Sequence, residues 1–274
     1  MSHSHQLWDF RQVDQSLDPY QYVSYLDGLR TQQQIQLIKE QSYRLLAPEQ
    51  GHQLLDIGCG TGEDADALAR LVAPSGKVIG LDSSVTMIAQ ARKRWAGSVS
   101  PVEFSEGDCT QLPFADSSFD GCRAERVLQH LDDPARAIGE MVRVTRPGGR
   151  VLIIDIDHGM RALDMANREL TRRVLAFLSE HRRNSWIGRQ VPGLMRRHGL
   201  DLLSIVPMVR CFTTFEEREA MQDLLAAAQR EEVISQQEAS EFFSELEQRE
   251  RDGLFFQAKV MFIVVGQKPQ ASAH

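Results

Sequence analysis

The stretch Leu54-Leu55-Asp56-Ile57-Gly58-Cys59-Gly60-Thr61-Gly62 decides the fold. Apolar residues lead into an acid, and glycines then alternate through a tight turn. Ala65, Leu68, Ala69 and Val72 follow at the spacing of one helix face. This succession predicts a strand, a glycine-rich turn and a helix, which is how a nucleotide-binding α/β domain begins. Glycines in such a turn let the backbone approach a ligand, because no Cβ atom stands in the way.

Acids at the start of the predicted helix narrow the choice of ligand. Glu63, Asp64 and Asp66 lie in its first turn. A pyrophosphate at this helix N-terminus would meet several carboxylates at close range, which is unfavourable. A ligand that carries an ammonium and a sulfonium group would not. We therefore expect the loop to bind S-adenosylmethionine.

Composition bounds the class of protein. The chain has 274 residues, of which 42% are hydrophobic and 25% charged, and its net charge is −7. This acidic balance argues against a general nucleic-acid-binding surface. The four cysteines are isolated, so neither a disulfide framework nor a metal site is expected. The N-terminus does not resemble a signal peptide, and the longest apolar runs, such as 260–265, are too short to span a membrane. These features predict a cytoplasmic protein.

Strand-like and helix-like segments alternate in the first half of the chain, which predicts βαβ units around a parallel sheet. The predicted strands are 53–57, 77–82, 101–105, 119–123 and 149–155. A helical pattern over 19–47 precedes them, and the polar residues before position 18, with His3 and His5, are interpreted as a mobile tail.

The second half of the chain has a different pattern. An arginine-rich helical segment covers 159–198, a strand is expected over 200–209, an acidic helical segment covers 214–252, and a strong strand closes the chain over 255–267. We divide the chain into three parts. They are an N-terminal tail and helical lid (1–50), a cofactor-binding core (51–157), and a helical substrate cap with the last two strands of the same domain (158–274).

Two further acids follow strand ends in the predicted core. Asp82 comes twenty residues after Gly62 and is placed to accept hydrogen bonds from ribose hydroxyls. It could instead cap the next helix. Asp108 ends the third strand. It could accept a hydrogen bond from an adenine amino group, or it could be only a turn residue. Met87 would offer an apolar face to the purine or belong to the core.

Together these motifs resemble those of the class I S-adenosylmethionine-dependent methyltransferases, of the type related to the ubiquinone and menaquinone C-methyltransferases. About 100 residues match in order and spacing, from the glycine loop through Asp82, Gly107-Asp108 and 127–134 to 146–150. The resemblance implies a Rossmann-like, mostly parallel sheet of seven strands with an antiparallel last strand. It also implies helical insertions after strands 5 and 6.

The resemblance further implies that Asp56 and the glycines hold the methionine part of S-adenosylmethionine, that Asp82 binds ribose and that Asp108 contacts adenine. S-adenosylhomocysteine would be the product. The predicted cofactor-binding residues are Asp56, Gly58, Cys59, Gly60, Asp82, Ser83, Met87, Gly107, Asp108, Cys109, Ala124 and Glu125.

Methyl transfer from a sulfonium needs mainly alignment and exclusion of water, so no catalytic motif need be visible. Groups near strand ends that could supply a base are Glu125, His130 and Asp157. His130, interpreted as part of a helix after the fourth strand, could equally make a structural hydrogen bond to the turn that follows. Candidates for substrate contact are Tyr22, Arg126, His158, Trp186 and Arg189.

Two of these candidates lie in a segment, 183–189, that would roof the pocket. It resembles a segment in a bacterial subgroup of the same methyltransferases. Trp186 could stack on a substrate and Arg189 could bind a carboxylate or phenolate. Trp186 could equally pack within the cap, and Arg189 could lie on a solvent-exposed helix face. One of the tyrosines at 20, 22 and 25 could close a lid over the cofactor.

The leading hypothesis is methylation of a small-molecule metabolite at oxygen, nitrogen or carbon. The alternatives are methylation of a protein or RNA, an S-adenosylmethionine-binding regulatory protein without turnover, and a nicotinamide-dependent dehydrogenase. The glycine spacing and the helix acids argue against the last. The arginine-rich and acidic segments could pair within or between subunits, so a homodimer is compatible with the sequence.

Overall fold

Seven strands form one sheet in the computed structural model, which describes residues 10–270. The strands are β1 (Gln53–Ile57), β2 (Lys77–Asp82), β3 (Val102–Glu106), β4 (Phe119–Glu125), β5 (Thr145–Leu163), β6 (Asp201–Phe212) and β7 (Gln257–Gln267). Their order is β3-β2-β1-β4-β5-β7-β6. The first five strands pair in parallel, whereas β7 runs antiparallel to both β5 and β6. The predicted α/β class, with a mostly parallel sheet and an antiparallel last strand, is confirmed.

Nine α-helices lie within the described residues. They are α1 (Tyr20–Arg30), α2 (Gln33–Leu46), α3 (Glu63–Val72), α4 (Val85–Trp95), α5 (Pro134–Val144), α6 (Arg168–Glu180), α7 (Ile187–Arg197), α8 (Arg218–Arg230) and α9 (Gln236–Arg251). Short 3-10 helices cover Phe10–Gln15 and Leu128–His130. The helices after β5 and β6 are the insertions that the resemblance implies.

Apolar side chains on both faces of the sheet form the core. Helices α5 and α7 pack on one face through residues such as Ile138 and Val191, and α2 and α3 pack on the other through residues such as Ile38 and Leu68. Helices α6, α8 and α9 bury a separate cluster around Phe242, which we call the cap core. Burial on both faces explains why the strands appear in the sequence as nearly continuous apolar runs.

The structure corrects three sequence-based expectations. Residues 159–163 are not helical, because β5 continues past Asp157 and pairs with β7 as far as Leu163. Phe10–Gln15 do not belong to a featureless tail, since Val13 is buried and Asp14 accepts hydrogen bonds from the start of α4. His130 ends a 3-10 turn and does not lie in a longer helix. His3 and His5 lie outside the described residues.

Residue 157 is the predicted end of the cofactor-binding core. Strands β1–β4, which precede it, and β6 and β7, which follow it, belong to the same sheet. All four cysteines have free thiols, and three of them are buried. Within residues 10–270, every helix is too short or too polar to cross a lipid bilayer.

Candidate active site

A cavity of about 920 Å³ lies at the carboxyl edge of the parallel strands, between the sheet, the N-terminal helices and the cap. Open α/β sheets bind ligands at this edge. Its volume is at the upper end of the range of about 300–1,000 Å³ for small-molecule pockets, which leaves room for a cofactor and a second molecule.

The glycine loop forms one wall of this cavity. Gly58 and Gly60 have φ of +65° and +53°, a backbone conformation that favours glycine. The amides of Gly58 and Cys59 donate to the carbonyl oxygen of Leu81 at 2.7 and 3.1 Å, which ties the loop to the end of β2. Gly62 does not line the cavity. A Cβ atom there would come within 2.6 Å of the Phe104 ring, so this glycine serves packing.

Asp82 and Asp108 line the cavity next to the loop, together with Ser83, Gly107 and Cys109. The Asp82 carboxylate accepts from the amides of Gly60 and Ser84, both at 2.9 Å. Burial raises the pKa of Asp82. Asp108 is exposed to the cavity, and its Oδ1 accepts from the Thr110 amide at 2.7 Å.

Three predicted cofactor residues do not line the cavity, and one of them, Asp56, is buried in β1. Met87 is buried with Val13, Tyr22 and Val23 in a cluster beneath the N-terminal helices, and it does not line the cavity. Ala124 belongs to the core of the sheet. For Met87 the alternative of ordinary core packing therefore describes its position better.

A buried charge network forms the cavity floor below the glycine loop. Arg123 is fully buried, and its Nη1 lies 3.0 Å from Asp56 Oδ1 and 3.4 Å from Asp64 Oδ2. Its Nη2 donates to Glu125. Asp64 also accepts from Lys39 and from the Tyr43 hydroxyl, both on α2. We call Lys39, Tyr43, Asp56, Asp64, Arg123 and Glu125 the floor network.

The floor network places three carboxyl groups against two cations. Burial alone would raise the pKa of Asp64, but the charges of Arg123 and Lys39 outweigh it and hold that pKa below its ordinary value. Burial raises the pKa of Asp56, because its share of Arg123 does not compensate fully for the loss of water. A positively charged group that entered here would supply the missing cation.

The acids that open α3 are all paired in the structure. Glu63 binds Arg94, Asp64 belongs to the floor network, and Asp66 lies 2.6 Å from Arg70. Only Glu63 and Asp64 line the cavity. The carboxylates therefore still occupy the helix N-terminus where a pyrophosphate would bind, but much of their charge is neutralised.

Cations line the opposite, cap end of the cavity. This set consists of Arg126, Arg161, Arg182, Arg210 and Lys259. Arg161 and Lys259 pair with Glu217, which lies just before α8 and whose Oε1 is 2.5 Å from Lys259 Nζ. The cavity thus has an acidic end at the glycine loop and a basic end at the cap.

Among the predicted catalytic groups, Glu125 and His130 line the cavity and Asp157 does not. Glu125 is paired with Arg123 and lies 3.9 Å from Lys39 Nζ, which makes it a structural counter-charge. The His130 ring lies 5.6 Å from the Phe10 ring. Asp157 pairs with Arg189 outside the cavity.

The expectation that residues 183–189 roof the pocket needs correction. Trp186 is 48% exposed and stacks against Arg189, whose Cζ lies 5.4 Å from the indole centroid. Neither residue lines the cavity, because the continued β5 carries this segment past it. Tyr22 is buried against Phe10, and Tyr25 is the tyrosine that lines the cavity. Arg126 and His158 line it as predicted.

Several site residues were not singled out by the sequence. Arg123, Arg210 and Lys259 each interrupt a strand that is otherwise rich in apolar residues, and that signal was present in the sequence. Burying a cation is costly unless it has a partner, so a lone cation in a buried strand indicates a functional or paired position. Arg161 and Arg182 were hidden among the other arginines of 159–198.

A family model described as a methyltransferase domain matches residues 55–153. A protein of Streptomyces fradiae, known only as an uncharacterized 37.1 kDa protein in a transposon, is 36% identical over 251 residues, or 89% of this chain and 71% of the relative. The demethylmenaquinone methyltransferase of Desulfitobacterium hafniense is 37% identical over 120 residues, which cover 43% of this chain and 47% of that enzyme. The alignment thus spans about half the length of that enzyme.

The solved structure of a Bacillus halodurans protein described as a methyltransferase has the same fold. It superimposes with a TM-score of 0.59 at 19% identity and covers 85% of this chain and 99% of that one. The segment matched by the family model contains the glycine loop, Asp82 and Asp108. It contains none of the cap cations Arg161, Arg182, Arg210 and Lys259.

Proposed function

We propose that this chain, which belongs to the S-adenosylmethionine-dependent methyltransferases, transfers the methyl group of S-adenosylmethionine to a small-molecule acceptor bound at the cap end of the cavity. One observation carries the proposal. A single cavity is lined both by the glycine loop with Asp82 and Asp108 and by polar groups of the cap. A cofactor and an acceptor could therefore meet inside one cavity.

The acidic end of the cavity fits the cofactor. Gly58 and Gly60 have left-handed conformations, and both line the cavity. We assign Asp82 to the ribose hydroxyls and Asp108 to the adenine. The floor network has one carboxyl group more than its cations match, so a cofactor ammonium group would find a counter-charge there.

S-adenosylmethionine supplies an activated methyl group. The protein must then align the acceptor and keep water out. Phe10, Tyr25 and Leu26 line the side of the cavity next to the N-terminal helices and would exclude water there. His130 is the group that we assign to proton acceptance, if the acceptor atom carries a proton. His158 is unsuited to that task, because burial and the nearby charge of Arg182 lower its pKa to about 2.

A small acceptor is favoured over a macromolecule because the cap covers this end of the cavity with helices and buried side chains. The name of the Desulfitobacterium relative also points to a small quinone acceptor in that enzyme. We further propose that the protein is cytoplasmic and that it binds neither nucleic acid nor membranes. A homodimer is compatible with this proposal. These three points rest on composition and charge.

Calorimetric titration with S-adenosylmethionine, S-adenosylhomocysteine and NAD in parallel tests the cofactor assignment. We expect micromolar binding of the two sulfur compounds and none of NAD. No binding of the sulfur compounds would contradict the proposal. A radiolabelled methyl-transfer screen over small metabolites then tests turnover. Binding without transfer to any acceptor would favour a regulatory protein that binds the cofactor without turnover.

A further inference from the structure

Three cations stand side by side across the last three strands of the sheet. Arg161 on β5 is the register partner of Lys259 on β7, and Lys259 is in turn the partner of Arg210 on β6. Register partners project from the same face of a sheet. Like charges directly opposite each other destabilise a strand pair, so this row costs folding free energy unless something balances it. We call Arg161, Lys259 and Arg210 the cation row.

The cation row is buried and faces the cavity. The side chain of Arg161 is 3% exposed and that of Lys259 is 11% exposed, while Arg210 as a residue is 6% exposed. Arg182, in the connection between α6 and α7, lines the same end of the cavity. Lysine and arginine are rarely buried to this extent without full pairing.

Within residues 10–270, the protein supplies too few counter-charges for this set. Glu217 Oε1 lies 2.5 Å from Lys259 Nζ, and its Oε2 lies 3.5 Å from Arg161 Nη1. Arg210 Nη2 donates to the neutral Gln32 Oε1 at 2.5 Å. The Nε atoms of Arg161 and Arg210 are buried and have no hydrogen-bond partner among the described residues. Glu216 and Glu219 also line the cavity, but both are exposed.

The electrostatics agree with this geometry. Burial and the neighbouring charge of Arg161 lower the pKa of Lys259 to about 8, although Glu217 acts in the opposite direction. Burial likewise lowers the pKa of Arg161 to about 10. For Glu217 the effect of burial is outweighed by Lys259 and Arg161, and its pKa falls to about 2. The set is thus short of negative charge.

We propose that the cation row and Arg182 bind an oxyanion of the methyl acceptor, a carboxylate or a phosphate. This inference rests on the proposed function, because it assigns the substrate class of the same cavity. Guanidinium groups match the geometry of both oxyanions through paired N–H donors. Arg161 and Arg210 both line the cavity, and each has a buried Nε that no described residue satisfies. The acceptor is then a small acid whose anionic group is held at the cap, with its methyl-accepting atom toward the glycine loop.

A purely structural role for the cation row is a weaker explanation. In a structural cluster of buried charge each cation has acids as partners, as Arg123 has Asp56, Asp64 and Glu125 in the floor network. In the cation row, by contrast, the Glu217 carboxylate is shared between Arg161 and Lys259. The aromatic ring of Phe212, 4.9 Å from Arg210 Cζ and 4.7 Å from Lys259 Nζ, stabilises both cations without neutralising either of them.

The test is calorimetric titration of the full chain with inorganic phosphate and, separately, with benzoate, at constant ionic strength. We expect one or both anions to bind, and Arg210→Gln to weaken binding at least tenfold, about 1.4 kcal/mol. Glu217→Gln should strengthen binding, because it removes the competing carboxylate. The control is Arg172→Gln, since Arg172 forms an exposed ion pair with Glu169 on α6 and should bind the anions like the wild type.

Two results would overturn the inference. One is that neither anion binds above the chloride background, and the other is that Arg210→Gln binds as the wild type does. Phosphate binding alone assigns a phosphate-bearing acceptor, and benzoate binding alone assigns a carboxylate. Should Arg210→Gln fail to fold, Lys259→Gln provides the same test. Thermal unfolding of each variant checks folding, and removal of one cation from the row should leave the Tm unchanged or higher.

Titration with S-adenosylhomocysteine separates this inference from the proposed function. If S-adenosylhomocysteine binds and neither anion does, the acceptor assignment fails and the methyltransferase proposal stands. If the anions bind and S-adenosylhomocysteine does not, the proposed function fails and the anion site stands.

Discussion

At the residue scale, single side chains in this site accept hydrogen bonds from the backbone and line the cavity at the same time. Asp82 accepts from the amides of Gly60 and Ser84 and still lines the cavity. The sequence offered helix capping as the alternative role of Asp82, but the residue that caps α4 is Ser84. Lys259 is likewise a strand residue and a cavity cation.

Asp82→Ala should lower the affinity for S-adenosylhomocysteine at least tenfold, about 1.4 kcal/mol. The variant loses the proposed ribose acceptor and one anchor of the glycine loop. Asp82→Asn keeps a carbonyl acceptor and should therefore lose less affinity than Asp82→Ala. Asp116→Ala is the control, because Asp116 is exposed and pairs only with Arg143 at 2.8 Å. Calorimetry measures all three, and unchanged affinity in Asp82→Ala would refute the ribose assignment.

The ionisation of Lys259 predicts a dependence of stability on pH. Its folded pKa of about 8 lies below the ordinary value of about 10.4, so the unfolded state binds more protons between these pH values. The contribution of Lys259 to the free energy of unfolding is therefore unfavourable below pH 8 and improves as the pH rises from 8 toward 10.

Urea unfolding at intervals from pH 7 to 10 measures this contribution as the difference between the wild type and Lys259→Met. The difference should shift in favour of the wild type as the pH rises. Comparison with the variant cancels the opposite effect of the buried cysteines Cys109 and Cys122, whose pKa burial raises to about 12. A constant difference over this range would show that Lys259 titrates normally.

At the element scale, helix α2 lies between α1 and the sheet and reaches the cavity. It carries Lys39 and Tyr43, which hold Asp64 at the start of α3, and it packs Ile35 and Ile38 on the sheet. The floor network therefore fixes α2, α3 and β4 relative to one another. The acids of α3 suggested a ligand preference in the sequence, whereas in the structure one of them, Asp64, belongs to this network and the other two pair with nearby arginines.

Arg123→Met should lower the free energy of unfolding by about 3–5 kcal/mol, because it leaves Asp56, Asp64 and Glu125 buried with Lys39 as their cation. Chemical denaturation at neutral pH measures the loss. Arg44→Met is the matched control, since Arg44 forms an exposed pair with Glu40 worth less than about 1 kcal/mol. Equal effects of the two substitutions would show that the network is not structural.

The continued strand β5 decides the role of Trp186. Because β5 runs to Leu163, the segment around Trp186 packs outside the cavity against Gly159, where a Cβ atom would come within 3.0 Å of the indole Nε1. Trp186→Ala should therefore change kcat and KM by no more than about twofold, as expected for substitutions away from a site. Steady-state kinetics checks this, with His158→Ala as the cavity-lining comparison. A tenfold rise in KM for Trp186→Ala would restore the roof interpretation.

At the scale of the whole molecule, the cavity joins an acidic end built by the N-terminal half of the sheet to a basic end built by the last three strands and the cap. A zwitterionic sulfonium cofactor and an anionic acceptor are complementary to these two ends. Electrostatic complementarity of this kind sets orientation and selectivity more than total affinity.

Binding of the cofactor should stabilise the whole fold, because the cavity lies between elements from both halves of the chain. At 100 times its Kd, S-adenosylhomocysteine should add about 2.7 kcal/mol to the free energy of unfolding. The Tm should then rise by several degrees, since about 1 kcal/mol corresponds to about 2–4 °C in proteins near this size. Thermal unfolding with NAD at the same concentration is the control, and an equal shift by NAD would contradict the cofactor assignment.

The sequence by itself determined the parts of the protein that depend on short-range patterns. The strand, glycine turn and helix of 54–72, the order of the strands along the chain and the positions of Asp82 and Asp108 follow from periodicity and turn chemistry, which act over a few residues. The choice among Tyr20, Tyr22 and Tyr25 could not be made this way, because all three lie in or beside the same helical pattern.

Only the tertiary structure decided which distant residues meet. Arg161, Lys259 and Arg210 lie far apart in the sequence, and the register of β5, β7 and β6 brings them into one row. That register includes a shift between Asp157 and Arg161, which no local pattern marks. A change of one residue in strand register turns every side chain to the other face of the sheet, so the cation row exists only because long-range packing fixes the pairing.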